Sequence, residues 1–262
     1  GIKQVIPGEG IGNSKTGDMN PYKFMGKTYI EVSELTKALA LNWNEGKKQL
    51  FRGILSEFFK SCNPEIAGFC IDAEEEATRV NGRDDIIFWK LLYKLNPNTT
   101  DFYWKGHVYQ GLPALGREVL EILWKKDTGN EAYYYEILNE KILSKYVEMK
   151  AGKNKTLLEA VKGLEDGHKL ADNQRAKQKN LFLMAYMFSG QKLMHFDGKE
   201  FRTVGEFADY MKDLLDDSYE KFESACHSLI DYDDNLDVQF ESWLLALGKK
   251  KELKAWRENI RG

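Results

Sequence analysis

Three short stretches with large apolar residues at alternate positions, Tyr22-Lys23-Phe24, Phe102-Tyr103-Trp104 and Met194-His195-Phe196, are each followed by a residue-glycine pair and a second β-compatible segment. Alternation of period 2 is the pattern of a half-buried strand, and a glycine at the second of two turn positions predicts a tight hairpin. The turns fall at Met25-Gly26, Lys105-Gly106 and Asp197-Gly198. Pairing across them sets Tyr22 opposite Tyr29, Phe102 opposite Tyr109 and Met194 opposite Phe201, with Phe24, Trp104 and Phe196 on the same face. A slip of one residue would scatter these side chains over both faces, so the agreement of all three copies supports the register.

After each hairpin the period changes to that of an amphipathic helix. The starts are Val32-Ser33-Glu34-Leu35, Leu112-Pro113-Ala114-Leu115 and Val204-Gly205-Glu206-Phe207. In the third, Thr203 and Glu206 have the spacing of a capping box, while Pro113 in the second is tolerated in a first helical turn. Similar apolar runs, residues 87–93 and 181–186, precede the second and third hairpins and predict a closing helix for each unit. Since a lone hairpin is barely stable in water, its apolar face must pack on helices.

These patterns predict a mainly α protein with short β-hairpins (α+β), built as a divergent array of three hairpin-plus-helices units. The divisions are a glycine-rich linker over 1–20 and units over 21–98, 99–190 and 191–262. In the first unit the stripe from Leu35 to Phe59 reads as amphipathic helix, and Pro64 starts another. The second is read as helix over 114–125, 131–150, 156–171 and 174–188. The third is read as helix over 204–215, 218–230, 238–247 and 249–259.

Composition narrows the classes. The 262 residues are 42% hydrophobic and 13% aromatic, enough for a substantial core, and the formal net charge of −3 supplies no basic field for nucleic acid. No apolar run is long enough for a membrane span. The cysteines Cys62, Cys70 and Cys226 are odd in number and sparse, which points to a reducing, cytoplasmic interior without a disulfide framework. The start at Gly1, without methionine, points to a trimmed or processed segment. Acids are concentrated between Asp213 and Asp237, and bases between Lys249 and Arg257.

Few residues suggest chemistry. Gly8–Thr16 approximates a phosphate-binding loop but has Ser14 where a glycine should precede the lysine, and Gly17 and Pro21 oppose the helix that would follow. Asp231–Asp237 offers oxygens at alternate positions, as in a calcium loop, but Leu236 replaces the turn glycine and Ser242 the bidentate glutamate; a solvated turn with Asn235 or Asp237 capping the next helix is the simpler reading. His107, His168, His195 and His227 share no metal-ligand spacing, and adjacent Cys226 and His227 diverge on a helix. No catalytic residue, metal or cofactor is assigned. The binding candidates are Tyr133, Tyr134 and Tyr135, which spread around one helix, with Trp124 beside lysines at a helix end. Phe24, Gly26, Tyr29, Trp104, Gly106, Tyr109, Phe196, Gly198 and Phe201 are read as the structural motif.

The string Tyr29–Leu35 with Ala38-Leu39, Asn42-Trp43 and Leu50–Leu55, and in outline Gln239–Leu244, resembles helical repeats that lie beside kinase domains in some bacterial signalling proteins. The resemblance implies an accessory region of a larger polypeptide and carries over no catalytic residue. The expected function is a noncatalytic interaction or regulatory module that binds a protein or a neighbouring domain of its own chain, without nucleic-acid or membrane partners. The alternative is an enzyme or small-molecule-binding domain with a pocket between units, near Trp104 and the helix of Tyr133–Tyr135.

Overall fold

The computed structural model describes residues 18–261; the glycine-rich stretch with its phosphate-loop-like motif lies outside the described residues. Among these, fourteen helices and three two-stranded antiparallel sheets are formed, so the protein is mainly α with short β-hairpins. The chain divides into two compact units. One runs to Thr99 and includes Tyr103–Val108; the other comprises Thr100–Phe102 and the chain from Tyr109 onward. The segment 191–262 thus belongs to the same compact unit as 109–190.

All three turns have positive φ at both central residues: 49° and 76° at Met25-Gly26, 40° and 88° at Lys105-Gly106, 49° and 69° at Asp197-Gly198. That is the mirror-image turn whose twist matches the flanking strands. In the first hairpin, β1 (Asp18–Phe24) pairs with β2 (Lys27–Glu31) with Tyr22 opposite Tyr29. Because β1 begins at Asp18, the last three residues of the expected linker are strand. Pro21 falls where the register shifts, so its missing N–H interrupts no regular ladder. In the third, β5 (Met194–Phe196) pairs with β6 (Lys199–Phe201) with Met194 opposite Phe201.

In the first unit, α1 (Val32–Leu41), α2 (Trp43–Phe51) and α4 (Pro64–Arg79) pack on α5 (Asp84–Leu95), and α3 (Ile54–Lys60) packs on α4 and α2. The apolar stripe from Leu35 to Phe59 is broken at Asn42 and at Gly53, whose φ is 73°. Asn63 starts α4 by accepting the Ile66 amide at 3.1 Å. The central α5 buries Ile86, Ile87, Phe88, Trp89, Leu91, Leu92, Tyr93 and Leu95, apolar nearly all round as a core helix must be. Tyr22 and Phe24 are buried while Lys23 is exposed, and Tyr22 meets Phe58 edge-on at 4.8 Å. The second hairpin, β3 (Phe102–Trp104) with β4 (His107–Tyr109), differs because both faces of β3 are buried. Trp89 donates its indole N–H to the Tyr103 carbonyl at 2.8 Å, and the Tyr103 amide donates to the Tyr93 hydroxyl at 3.0 Å.

The second unit is built on α10 (Gln174–Ser189), whose buried face includes Leu181, Phe182, Met184, Ala185, Tyr186 and Phe188. Against it pack α6 (Gly111–Trp124), α9 (Lys155–Leu170) and α13 (Val238–Ala246). Gly116 allows α6 its close approach, since a Cβ there would lie 2.7 Å from the Ser189 amide nitrogen. Residues 131–150, expected as one helix, form most of α7 (Thr128–Asn139) and most of α8 (Ile142–Ala151), with Lys141 between them at φ 54°. The break has an electrostatic partner: buried Glu165 accepts the Ser144 amide at 2.9 Å, a carboxylate at the positive end of α8. Burial raises the Glu165 carboxyl above its ordinary pKa, and the Ser144 bonds offset this only in part. Beyond the third hairpin lie α11 (Val204–Asp217), α12 (Tyr219–Ser228) and α14 (Lys250–Arg261). Thr203 accepts the Glu206 amide at 3.1 Å, and Glu206 reaches back to the Arg202 amide at 2.8 Å.

Candidate functional site

A cleft of about 1140 Å³ opens within the second unit. Its floor is apolar: Leu123 and Trp124 at the end of α6, Phe182 on α10 and Phe196 on β5. A mainly polar part of the lining comes from Lys221, Ser224 and Ser228 of α12, with Ala225 between them, then Asp231, Tyr232 and Asp237 of the following loop. Tyr232 is fully exposed.

The floor is held by the third hairpin. Phe196 and Phe201 both set their rings against Phe207, at 5.6 and 5.3 Å, which fixes the strand pair on α11. Gln239, at the start of α13, then clamps the next residue back. Its Oε1 accepts the His195 amide at 2.8 Å and its Nε2 donates to the His195 carbonyl at 2.9 Å, so one side chain replaces a neighbouring strand. With its backbone pinned, His195 lays its imidazole against the Trp124 indole, centroids 5.0 Å apart and planes tilted 32°. The Trp124 Nε1–H is buried with no acceptor among the described residues.

The far wall is shaped by two aspartates. Asp231 Oδ1 accepts the amides of Asp233 and Asn235, each at 2.9 Å, and Oδ2 accepts from Arg175 Nε at 3.1 Å. Partial burial alone would raise the Asp231 pKa, but the two amides and Arg175 outweigh it and lower it. Asp237 caps α13 by accepting the Phe240 amide at 3.0 Å. Burial pushes its carboxyl up, against the opposing pull of the Phe240 and Gln239 amides, Lys126 and Arg175. The calcium-like loop is therefore an aspartate-nucleated turn in which the Asp231 and Asp237 carboxylates accept from backbone amides and, at Asp231, from an arginine, while Asp233, Asp234 and Asn235 are exposed. Among the described residues, no group of three or more His, Cys, Asp or Glu side chains is placed to hold a metal.

Behind the cleft stands a second polar cluster. Gln178 lines the cleft and donates to buried Glu131 at 3.0 Å; Gln174 donates to the same carboxylate at 2.8 Å, and the Tyr135 hydroxyl donates to it at 2.7 Å. Tyr135 also stacks on His168 at 5.3 Å. Of the tyrosine triplet, Tyr134 is buried with its hydroxyl 3.3 Å from that of Tyr109, and Tyr133 is half-buried, edge-on to Tyr134 at 4.9 Å. Burial raises the phenol pKa of all three. Of the four binding candidates read from the sequence, Trp124 lines the cleft, Tyr135 lies one side chain behind it through Glu131 and Gln178, and Tyr133 and Tyr134 pack with Tyr109. Trp104 is a core residue of the first unit, in ring contact with Trp43 at 5.7 Å.

His195, Gln239 and Gln178 escape sequence reasoning because their partners lie 44 and 47 residues away. The one local sign was the position of His195 beside a hairpin turn. Among the described residues no acid orients the His195 imidazole and no nucleophile is hydrogen-bonded to it; the lining combines aromatic rings, side-chain amides and acids. No protein-family model, curated protein or solved structure matches the chain.

Proposed function

We propose that the protein is a noncatalytic interaction module, an accessory part of a larger bacterial protein, whose second unit receives a polypeptide segment in the cleft between Trp124 and α12. The observation that carries this reading is the size and lining of the cleft. Small-molecule sites are usually enclosed cavities of about 300–1,000 Å³ with a few convergent polar groups. This one is larger, open to solvent, and combines the aromatic Trp124–His195 platform with exposed Tyr232. Aromatic anchors with a polar rim are the composition of a polypeptide interface. The accessory role rests on the resemblance carried by residues 29–55.

Photo-crosslinking tests the proposal. Benzoylphenylalanine at position 232 is expected to give polypeptide adducts in lysate that disappear when Ala225→Trp fills the cleft, while the same group at Val80 in the first unit gives none of those adducts. The alternative of a small-molecule receptor gains if position 232 yields no polypeptide adduct and a metabolite fraction raises the melting temperature in an Ala225-dependent way. That result would overturn the interaction reading.

A further inference from the structure

The wall of the cleft says which kind of segment fits. Resting on the polypeptide-binding reading above, we propose that the occupant is a basic segment, rich in lysine or arginine, that carries one apolar or aromatic anchor. The chain as a whole has a formal charge of −3, yet residues 204–237 contain eleven acids against the two bases Lys212 and Lys221. This charge is not internally neutralised. Asp217 pairs with Lys221 at 2.7 Å and Asp231 with Arg175, but Glu220, Glu223, Asp233 and Asp234 are exposed and none of them forms an ion pair among the described residues. Glu220 lines the cleft, and Asp233 and Asp234 lie between its lining residues Tyr232 and Asp237. The two lining lysines are answered locally, Lys221 by Asp217 and Lys126 by its attraction to Asp237.

A second observation is independent of charge. The helix α12 buries none of its ten residues, although it forms one side of the cleft. Trp124, which lines the same cleft, holds a buried indole N–H with no acceptor among the described residues. A segment lying between the two covers α12 on one side and sets an anchor on the aromatic floor on the other. Lysine and arginine suit this place because their alkyl stems cover apolar surface while their heads reach the acids, and a cation over the Trp124 face adds cation–π attraction. An acidic segment would meet like charge along this wall.

The test uses the full chain and three fluorescein-labelled peptides: Gly-Lys-Leu-Lys-Trp-Lys-Leu-Lys-Gly and its twins with serine or glutamate in place of every lysine. Fluorescence anisotropy is expected to show the lysine peptide binding about tenfold or more tightly than either twin, with the advantage fading as salt is raised to about 0.3 M. Ala225→Trp and the exposed double change Glu220→Lys/Asp233→Lys should each weaken it about tenfold. Glu65→Lys/Glu75→Lys, on exposed positions of the first unit, should leave it unchanged. Equal binding of the serine or glutamate peptide, or indifference to Ala225→Trp and Glu220→Lys/Asp233→Lys, overturns the proposal. If position 232 still crosslinks to neutral or acidic polypeptides, the basic preference falls and the interaction reading stands; if it crosslinks to none, both fall.

Discussion

Glu241 carries an unusual load for a single side chain. Its carboxylate is only 4% exposed and accepts from Arg175, Lys179 and Arg257, which reach it from α10 and α14. Burial by itself would raise its pKa; the hydrogen bonds from Arg175 and Lys179 prevail and bring it down to about 2. A folded-state pKa below the unfolded value gives stability that is present above pH ~4.5 and lost as pH falls towards 2. The expected contribution at pH 7 is on the order of 3 kcal/mol. Glu241→Gln should therefore lower the melting temperature at pH 7, and the gap to the wild type should close between about pH 4.5 and 2. A gap independent of pH would assign the loss to packing. The turn glycines make a second residue-scale case. Gly198 has φ 69° with open space around it, so Gly198→Val introduces backbone strain and little crowding. A cost of about 1–2 kcal/mol, or a fall in melting temperature of roughly 2–8 °C, follows from the left-handed conformation. Unchanged melting would contradict the turn.

At the scale of elements, helix crossings set the tolerances. In the first unit a Cβ at Gly46 would stand 2.7 Å from both the Leu39 carbonyl and the Phe88 ring, so α2, α1 and α5 meet where only hydrogen fits. Gly46→Ala raises helix propensity by about 1 kcal/mol, and the clash outweighs it at about 1–3 kcal/mol. Thermal melts should show net destabilisation; a stabilised variant would mean that the helices separate freely. The elements whose signals are local were legible in the sequence: three turns, the strand partners Tyr22/Tyr29 and Met194/Phe201, and the Thr203–Glu206 box. The breaks were less so. Nothing near Lys141 in the sequence marks a helix end, because the group that satisfies the new helix start is Glu165, 21 residues from Ser144. The site follows the same rule. Trp124 was visible as an aromatic at a helix end, whereas its ring partner His195 is set by Gln239, and that bond exists only once β5 and α13 are side by side.

For the whole molecule, burial distributes stability unevenly, and hydrogen exchange reads that distribution directly. Each compact unit has a central buried helical stretch, α5 in the first and the C-terminal half of α10, from Leu181 to Ser189, in the second. Their amides open only with their own units and should be the slowest to exchange. The opposite extreme is α12, a helix of ten residues with none buried, followed by a loop in which Tyr232, Asp233, Asp234 and Asn235 are exposed. Local opening there breaks few apolar contacts, so α12 should exchange orders of magnitude faster than α10 although both are helical. Secondary structure alone predicts no such contrast, and equal protection of the two helices would mean that α12 is held by something other than its own side chains. A segment bound in the cleft would add the burial α12 lacks. Saturating lysine peptide is therefore expected to slow exchange in residues 219–237 while leaving α5 unaffected. Slowing spread evenly over both units would place the peptide elsewhere.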